Sequence, residues 1–479
     1  MAFEELRKVR LEKLENLKKA GIDPFPAKVE FPVADISVLK KDFKKQLKNK
    51  KGAAIAGRIT AKREHGNAIF ADLSGGSNKL QIFIGRDQIG SDSFRIFSEN
   101  IDIGDFIAVF GKAFYTKRKE PTIEVKNWQL LAKALRPLPE KWHGLQDIEE
   151  RFRKRYLDLL MNEEVRNRFV LRSQIVTGIR SILDKEGFLE VETPVLQDIA
   201  GGATAKPFKT HHNALNTDLF LRIAPELFLK RLLIGGYNKI YEIGKVFRNE
   251  GIDKTHNPEY TMLEFYAAYW DETEMMNFIE KMMFGLAKKI NVKTFKKNFP
   301  RISFLEVLQR YAQIIDYEKE SEVSLQTRAK QLGIEVPEKA SKAKLAEEIF
   351  EKIARPKLIN PTFVTDFPLE LSPLSKGGKK SNLVRRFNLI IGGSEIADGW
   401  SEINNPEEQV NRFQMQEKAK QAGEEETHPY DEDFVQALEY GMPPAAGVGF
   451  GIDRLTMLLT DTHNIKEVIL FPTMKPKEQ

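Results

Sequence analysis

The sequence predicts a small closed β-barrel followed by a larger α+β domain built on a largely antiparallel sheet. Three observations carry this. Between Ala53 and Lys133, short apolar runs alternate with turn residues and no helical pattern develops. From Glu149 to Gly187 the apolar period is helical throughout. Beyond Gly187, strand-like runs (LFLRIA, YEIGKVF, NLIIGG) are interleaved with helical ones, the mixture expected of an α+β layer.

The elements follow in order. Residues 1–51 read as a basic helical extension. Leu6, Leu14 and Leu17 recur at near-helical spacing, and seven lysines stand against the single acid Asp42 between Lys40 and Lys51. Such a run is ordinarily a solvated face; beside a nucleic-acid module it also attracts phosphates. The runs AAIAGRIT, AIFADLS, KLQIFIG, DFIAVFGKAFYT and TIEVKNWQLL supply five strands within 52–135, the pattern of an OB-type barrel, which often binds single-stranded nucleic acid. Arg136–Pro139 (RPLP) opens a stiff linker over 136–150, and 151–479 forms the large domain, with a Glu-, Lys- and Ala-rich helical insertion at 319–355.

Composition excludes several chemistries. With no cysteine there is no disulfide, thiol nucleophile or thiolate zinc site. The seven histidines form no HxxxH-type pair, so a bound metal is expected to be a hard cation on carboxylates. No run approaches the ~20 apolar residues that span a bilayer, so no membrane partner is expected. The N-terminus lacks a secretory core, and Glu4, Glu5, Glu12 and Glu15 are unlike a mitochondrial presequence; a cytoplasmic location is expected.

Three segments stand out. GFLEVETPVL (Gly187–Leu196) is bland alone, its Pro194 suiting a strand edge or turn. In KIYEIGKVFRNEGIDKTHNPEYTMLEFY (Lys239–Tyr266) an apolar strand runs into Arg248 and Glu250, crosses a loop and returns as a second strand through Glu264. A lone Arg-x-Glu is usually a surface ion pair. If the two strands form a hairpin, however, Arg248, Glu250, His256 and Tyr260 face one pocket, where an arginine can hold phosphate and a tyrosine can stack on a purine. In GVGFGIDRLTMLLT (Gly447–Thr460) the glycines at 447, 449 and 451 permit close backbone approach, and Arg454 enters an apolar helix, where its guanidinium can stack on the other purine face. Neither a dinucleotide fingerprint nor a GxxxxGK[ST] loop is present, so ATP would be held by arginines and a metal.

In this order the three segments resemble motifs 1, 2 and 3 of class II aminoacyl-tRNA synthetases. With the OB-type barrel in front, they resemble the lysyl, aspartyl and asparaginyl subgroup. The stretches RPLPEKWHGLQDIEERFRKRYLDL, GGATAKPFKTHHNALNTDLFLRIAPELFLKRL and ALEYGMPPAAGVGFGIDRLTMLLT are similar to bacterial-type lysyl-tRNA synthetases. The resemblance implies that L-lysine is activated with ATP to lysyl-adenylate and transferred to the 3′ end of tRNA(Lys), with Mg2+ as cofactor and a homodimer formed through motif 1.

It also implies roles. Arg248 meets the α-phosphate as the catalytic residue. Glu250, His256 and Asn257 seat ATP, with adenine between Tyr260 and Arg454. Glu395 is a magnesium ligand that helps bind the triphosphate, and Asn388 can offer the ion an uncharged amide oxygen. Glu226 pairs with the α-amino group, Glu264, Tyr266 and Glu402 surround the side-chain ammonium, and Gly202 contributes backbone over the substrate. Phe70, Gln81 and Glu120 contact anticodon bases, although a barrel-core position is the ordinary reading of such a Phe. The sequence departs from the family pattern where a metal-binding acid becomes Asn388, an Asn near the substrate carboxylate becomes Asp398, and a Phe becomes Trp400. Asp398 would repel a substrate carboxylate unless a cation intervenes or it is protonated; either it supplies charge to a shifted metal arrangement or it turns away.

A tRNA-independent paralogue that transfers lysine to a protein is disfavoured by the intact OB module, and two rivals remain. One is the same chemistry with a different amino acid, which for aspartate or asparagine needs a cation where Glu264 and Glu402 offer carboxylates. The other is an OB-based RNA-binding protein with a degenerate synthetase domain, against which Arg248, Glu250, His256 and Arg454 argue.

Overall fold

The computed structural model describes residues 3–477 apart from 50, 77, 140–144, 146, 293–294, 296–297, 337–339, 381 and 424–426. Most of the linker expected after Pro139, together with Lys50 of the basic run, therefore lies outside the described residues. The chain divides into two compact units, Met1–Glu163 and Glu164–Gln479.

In the first unit, strands β1 (Ala53–His65), β2 (Ala68–Gly75), β3 (Asn78–Gly85), β4 (Phe106–Tyr115) and β5 (Pro121–Ala132) close a barrel in the order β1-β2-β3-β5-β4. The period-2 alternation of β2 sends Ile69, Ala71 and Leu73 inward and leaves Phe70 outside. Phe70 is thus not a barrel-core residue. Its ring lies 5.1 Å from Phe83, its cross-strand partner, and Phe83 lies 6.1 Å from Phe114. Gln81 sits on the neighbouring strand, where Thr122 donates to its Oε1 at 3.0 Å. Glu120 is exposed in the loop before β5.

The helix Phe3–Lys19 belongs to this unit, with Leu14 and Leu17 buried and Arg10 donating to the Ala134 and Ile103 carbonyls. In the lysine run, Ile36, Leu39 and Phe43 turn inward from two short helices while Lys40, Lys41, Lys44, Lys45 and Lys48 stay exposed.

The helical segment expected to be continuous is instead three helices, Ile148–Arg153, Arg155–Met161 and Glu163–Lys185, broken at Lys154 and Asn162. Only the last is long. It ends before Gly187, which takes φ +81°, a value that side chains disfavour.

The second unit is built on an eight-stranded sheet. Its strands are β6 (Leu189–Glu190), β10 (Lys239–Phe247), β11 (Glu259–Ala268), β12 (Arg301–Ser303), β13 (Thr362–Pro368), β14 (Leu383–Ile391), β15 (Ser394–Ser401) and β16 (Ala445–Gly451). They run in the order β12-β13-β14-β15-β16-β11-β10-β6, antiparallel except at the β12·β13 and β10·β6 pairs. A smaller sheet holds β7 (Leu196–Gln197), β8 (Lys209–His212) and β9 (Thr217–Leu221). One face of the large sheet packs Leu263, Phe265, Val448, Phe450 and Ala397 against the helices Glu163–Lys185 and Glu272–Lys289. The opposite face carries the polar alternates of the same strands. The expected insertion contains the helices Glu322–Gln331 and Lys342–Ile349, which pack around Leu325, Ala329, Leu345 and Ile349.

Candidate active site

The polar face of the sheet floors a cavity of about 520 Å³. Its geometry follows from register. Tyr266, Gly447 and Trp400 stand side by side across β11, β16 and β15, and so do Glu264, Gly449 and Asp398. Because strand side chains alternate, Gly447, Gly449 and Gly451 all turn toward the cavity while Val448 and Phe450 turn into the core. A Cβ on Gly447 would collide with both the Tyr266 ring and Glu402 Oε1. Gly447 therefore leaves room for those two side chains, while a Cβ on Gly449 would meet nothing nearer than 3.7 Å, so the floor there is low.

β10 and β11 form the expected hairpin, with Val246 opposite Tyr260 and Glu242 opposite Glu264. Arg248, Glu250, His256, Asn257, Tyr260, Glu264 and Tyr266 all reach the same cavity. The Arg248 guanidinium lies 5.5 Å from the Tyr260 ring centroid, and its buried Nε has no protein partner. Asn257 is buried, its amide nitrogen donating to Glu259 O at 2.6 Å while its oxygen is unpartnered. Arg454, on the helix Ile452–Leu459, donates to the Glu395 carbonyl at 3.3 Å and reaches His256 Nε2 at 3.1 Å. His256 Nδ1 in turn meets Asp253 at 2.9 Å. The charge that enters an apolar helix is thereby paired at the cavity rim.

Deeper in, three carboxylates converge. Glu226 and Glu264 line the cavity; Glu402 lies just behind Trp400. All three are buried, and the Tyr266 hydroxyl donates to Glu264 at 3.0 Å. Burial raises each above the usual carboxylate range, Glu402 to about 8. Trp400 Nε1 donates to Glu402 Oε2 at 2.9 Å, whereas Glu402 Oε1 is buried with no partner.

The departures from the family pattern resolve into contacts. Asp398 lines the cavity and is paired with Arg386, whose Nε and Nη2 meet the two carboxylate oxygens at 2.9 and 2.8 Å. Burial raises Asp398 to about 6 despite this pairing. Asn388 is buried behind the wall and donates through Nδ2 to Glu395 Oε2 at 3.3 Å. Among the described residues no group of three His, Cys, Asp or Glu side chains is arranged to hold a metal. Glu395 nevertheless supplies a hard oxygen at the cavity, and a magnesium ion bound with a triphosphate takes most of its ligands from phosphate and water. The residues fit such an ion through Glu395.

Several contributors were not foreseen. Lys230 lies between Glu226 and Glu402, 2.5 Å from each. His428 Nε2 accepts the Gly202 N–H at 2.7 Å and Nδ1 contacts Pro429 O at 2.7 Å, fixing the loop in which Gly202 takes φ +86°. Burial lowers His428 to about 4, so it stays a neutral acceptor. The insertion supplies a wall, with Glu347, Glu351 and Arg355 facing the cavity. Only a lone His and an ordinary charged helix marked these in the sequence. Phe70, Gln81 and Glu120 are not part of the cavity; they belong to the barrel.

Comparison with known proteins agrees with this layout. Residues 53–131 match the OB-fold nucleic acid binding domain family, and residues 147–475 match the family described as tRNA synthetases class II (D, K and N). The lysine–tRNA ligase of Carboxydothermus hydrogenoformans is 48% identical over 485 residues, covering 99% of both chains. That of Moorella thermoacetica is 47% identical, covering 100% of this chain and 99% of its own. The Aquifex aeolicus lysine–tRNA ligase is 48% identical over 90% of this chain and 74% of its own. Barrel, glycine-floored cavity and arginine-bearing hairpin together are those of a synthetase, and the chain belongs to the class II tRNA synthetase family of the D, K and N enzymes.

Proposed function

We propose that the cavity activates L-lysine with ATP and that the resulting lysyl-adenylate is passed to tRNA(Lys). The observation that carries this is the convergence of Glu226, Glu264 and Glu402, buried and short of cations, beside an arginine-lined space for phosphates. A buried carboxylate is costly unless paired, and a diammonium guest supplies the pairing. The names of the similar proteins are in keeping with the reading.

In the first step a lysine carboxylate oxygen bonds to the α-phosphorus and the bond to the β-phosphate bridging oxygen breaks, releasing pyrophosphate. In the second, a ribose hydroxyl of the tRNA end attacks the carbonyl carbon and AMP leaves. Both reactants of the first step are anions, so charge neutralisation and positioning do most of the work. Arg248 meets the α-phosphate, with Tyr260 beneath its guanidinium. Glu250, His256 and Asn257 seat the nucleotide, and Arg454 covers the adenine opposite Tyr260. Glu395 would hold Mg2+, which would supply neutralising charge to the triphosphate, while Asn388 orients Glu395 through its amide nitrogen. Glu226 receives the α-ammonium under the Gly202 loop. Glu264, Tyr266 and Glu402 receive the side-chain ammonium, with Trp400 holding Glu402. Asp398, closed on Arg386, presents a neutral pair to the substrate carboxylate.

On the barrel, Phe70 stacks on an anticodon base, Gln81 reads a base edge and Glu120 accepts from another. The exposed lysines from Lys40 to Lys48 attract the tRNA backbone. A second copy of the chain covers the apolar segment after the long helix, where Leu189, Val195 and Leu196 are 48%, 40% and 47% exposed. No described helix is long and apolar enough to cross a membrane, and the enzyme works in the cytoplasm, where its tRNA is. Aspartate or asparagine would need a free cation beside Glu264, but Lys230 is already bonded to two carboxylates. ATP–pyrophosphate exchange with each amino acid in turn tests the proposal. Exchange with lysine alone is expected; exchange with aspartate, or with none, would overturn it.

A further inference from the structure

Lys230 is fully buried, 0% exposed, on the helix Glu226–Ile234, one turn beyond Glu226 and on the same face. Its Nζ lies 2.5 Å from Glu226 Oε1 and 2.5 Å from Glu402 Oε2, and the Trp400 and Phe434 rings close around it at 5.9 Å each. Lysine is among the residues least often buried completely, and here it joins the two carboxylates read above as the α-amino end and the side-chain end of the amino-acid site.

We infer that Lys230 is a built-in counter-ion that sets the number of positive charges the amino acid must bring and aims the two end carboxylates at them. The inference rests on the reading that Glu226, Glu264 and Glu402 receive the substrate ammonium groups. The count is simple. Glu226 and Glu402 share one internal ammonium and Glu264 has only the Tyr266 hydroxyl, while the neighbouring Arg222–Glu242 and Arg386–Asp398 pairs are each closed and leave the sum unchanged. Two positive charges are missing among these carboxylates, and the two ammonium groups of lysine supply them, its carboxylate lying on the Arg248 side of the cavity. An amino acid with a neutral side chain brings one and leaves a buried carboxyl either unpaired or still holding its proton. Position follows as well as number. Lys230 occupies Glu226 Oε1, and with Trp400 it saturates Glu402 Oε2, so the unpartnered Glu402 Oε1 is left for the guest. Burial works against the ammonium form of Lys230, but Glu226 and Glu402 outweigh it and hold the amine charged. Lys230 is therefore a positioning residue that touches the reacting groups only through its partners.

The test is Lys230→Met, which keeps length and removes charge, read by ATP–pyrophosphate exchange beside Glu264→Gln. The KM for lysine is expected to rise about 100-fold or more, as when a buried charge loses its partner, with the KM for ATP unchanged within about threefold. Lys230→Ala should regain lysine affinity on addition of ethylammonium but not of propanol, and ethylammonium should only inhibit the unaltered enzyme. A merely structural lysine would show no such dependence on charge. If Glu264→Gln raises the lysine KM and folded Lys230→Met does not, this inference fails and the pocket reading stands. If Glu264→Gln has no effect, the pocket reading fails and takes the inference with it. Should both Lys230 variants fail to fold, the unaltered enzyme still decides: 1,5-diaminopentane should compete with lysine at least about 100-fold more strongly than pentylammonium, and equal competition would overturn the two-charge count.

Discussion

Arg386 grips Asp398 at two points, Nε to Oδ1 at 2.9 Å and Nη2 to Oδ2 at 2.8 Å, while Arg386 Nη1 is held by the Leu371 carbonyl and the Ser372 hydroxyl. The pair sits diagonally across β14 and β15, with Arg386 opposite Trp400 and Asp398 opposite Asn388. An acid that would repel a substrate carboxylate is thereby matched by a fixed guanidinium. Asp398→Ala leaves that guanidinium buried without its partner and is expected to cost about 3–5 kcal/mol of stability in urea unfolding, whereas Arg386→Met with Asp398→Ala should recover most of it. Equal losses in the single and double variants would show that the two groups do not interact.

Glu402 makes lysine binding depend on pH. Its folded value, lifted by burial to about 8 from an ordinary 4.5, means that the empty site holds a proton which an ammonium guest must displace. The KM for lysine should therefore rise as pH falls below about 8, approaching tenfold per unit, while that for ATP stays flat. For the empty protein the sign is opposite. A carboxyl whose folded value is raised stabilises fully below about 4.5 and loses that contribution as pH climbs through about 8. Melting curves with and without lysine across pH 6 to 9 read both trends, and a pH-independent lysine KM would contradict the assignment.

A single methyl group should close the site. Gly447→Ala places a Cβ against the Tyr266 ring and Glu402 Oε1, and Gly447 lies on a central strand whose backbone cannot move aside. Overpacking of this kind costs about 1–3 kcal/mol, so the lysine KM should increase roughly 10- to 100-fold. An unchanged KM would place the guest elsewhere.

The barrel should be separable from the chemistry. Phe70→Ala removes a stacking surface worth about 1–3 kcal/mol per base, which should raise the KM for tRNA at least about tenfold and leave ATP–pyrophosphate exchange intact. Reversing the charge of Lys40, Lys41, Lys44 and Lys45 together should weaken tRNA binding and flatten its salt dependence. An unchanged salt slope would remove that face from the interface.

The sequence disclosed much of this because its signals were local. Arg248, Glu250, His256 and Tyr260 lie on two adjacent runs, and an antiparallel hairpin brings such runs together wherever the turn falls. The glycines at 447, 449 and 451 showed their common face through a period of two. What stayed hidden depends on register between strands or on burial. Lys230 reads as an ordinary helical lysine, since nothing near it in sequence marks its stretch of helix as the wall of a charged pocket. The Arg386–Asp398 fork requires knowing which residues of β14 and β15 are opposite. The expected continuous helix broke because periodicity does not reveal where a chain turns, and Asn162 is extended between two helical segments.

The glycine strand has a consequence for changing what the site accepts. β16 lends it backbone and empty space, so nothing on that strand distinguishes one guest from another; discrimination is delegated to β11 and β15 on either side and to the helix bearing Glu226. New selectivity could be written entirely in those neighbours, around a middle rung that has no side chain to rewrite.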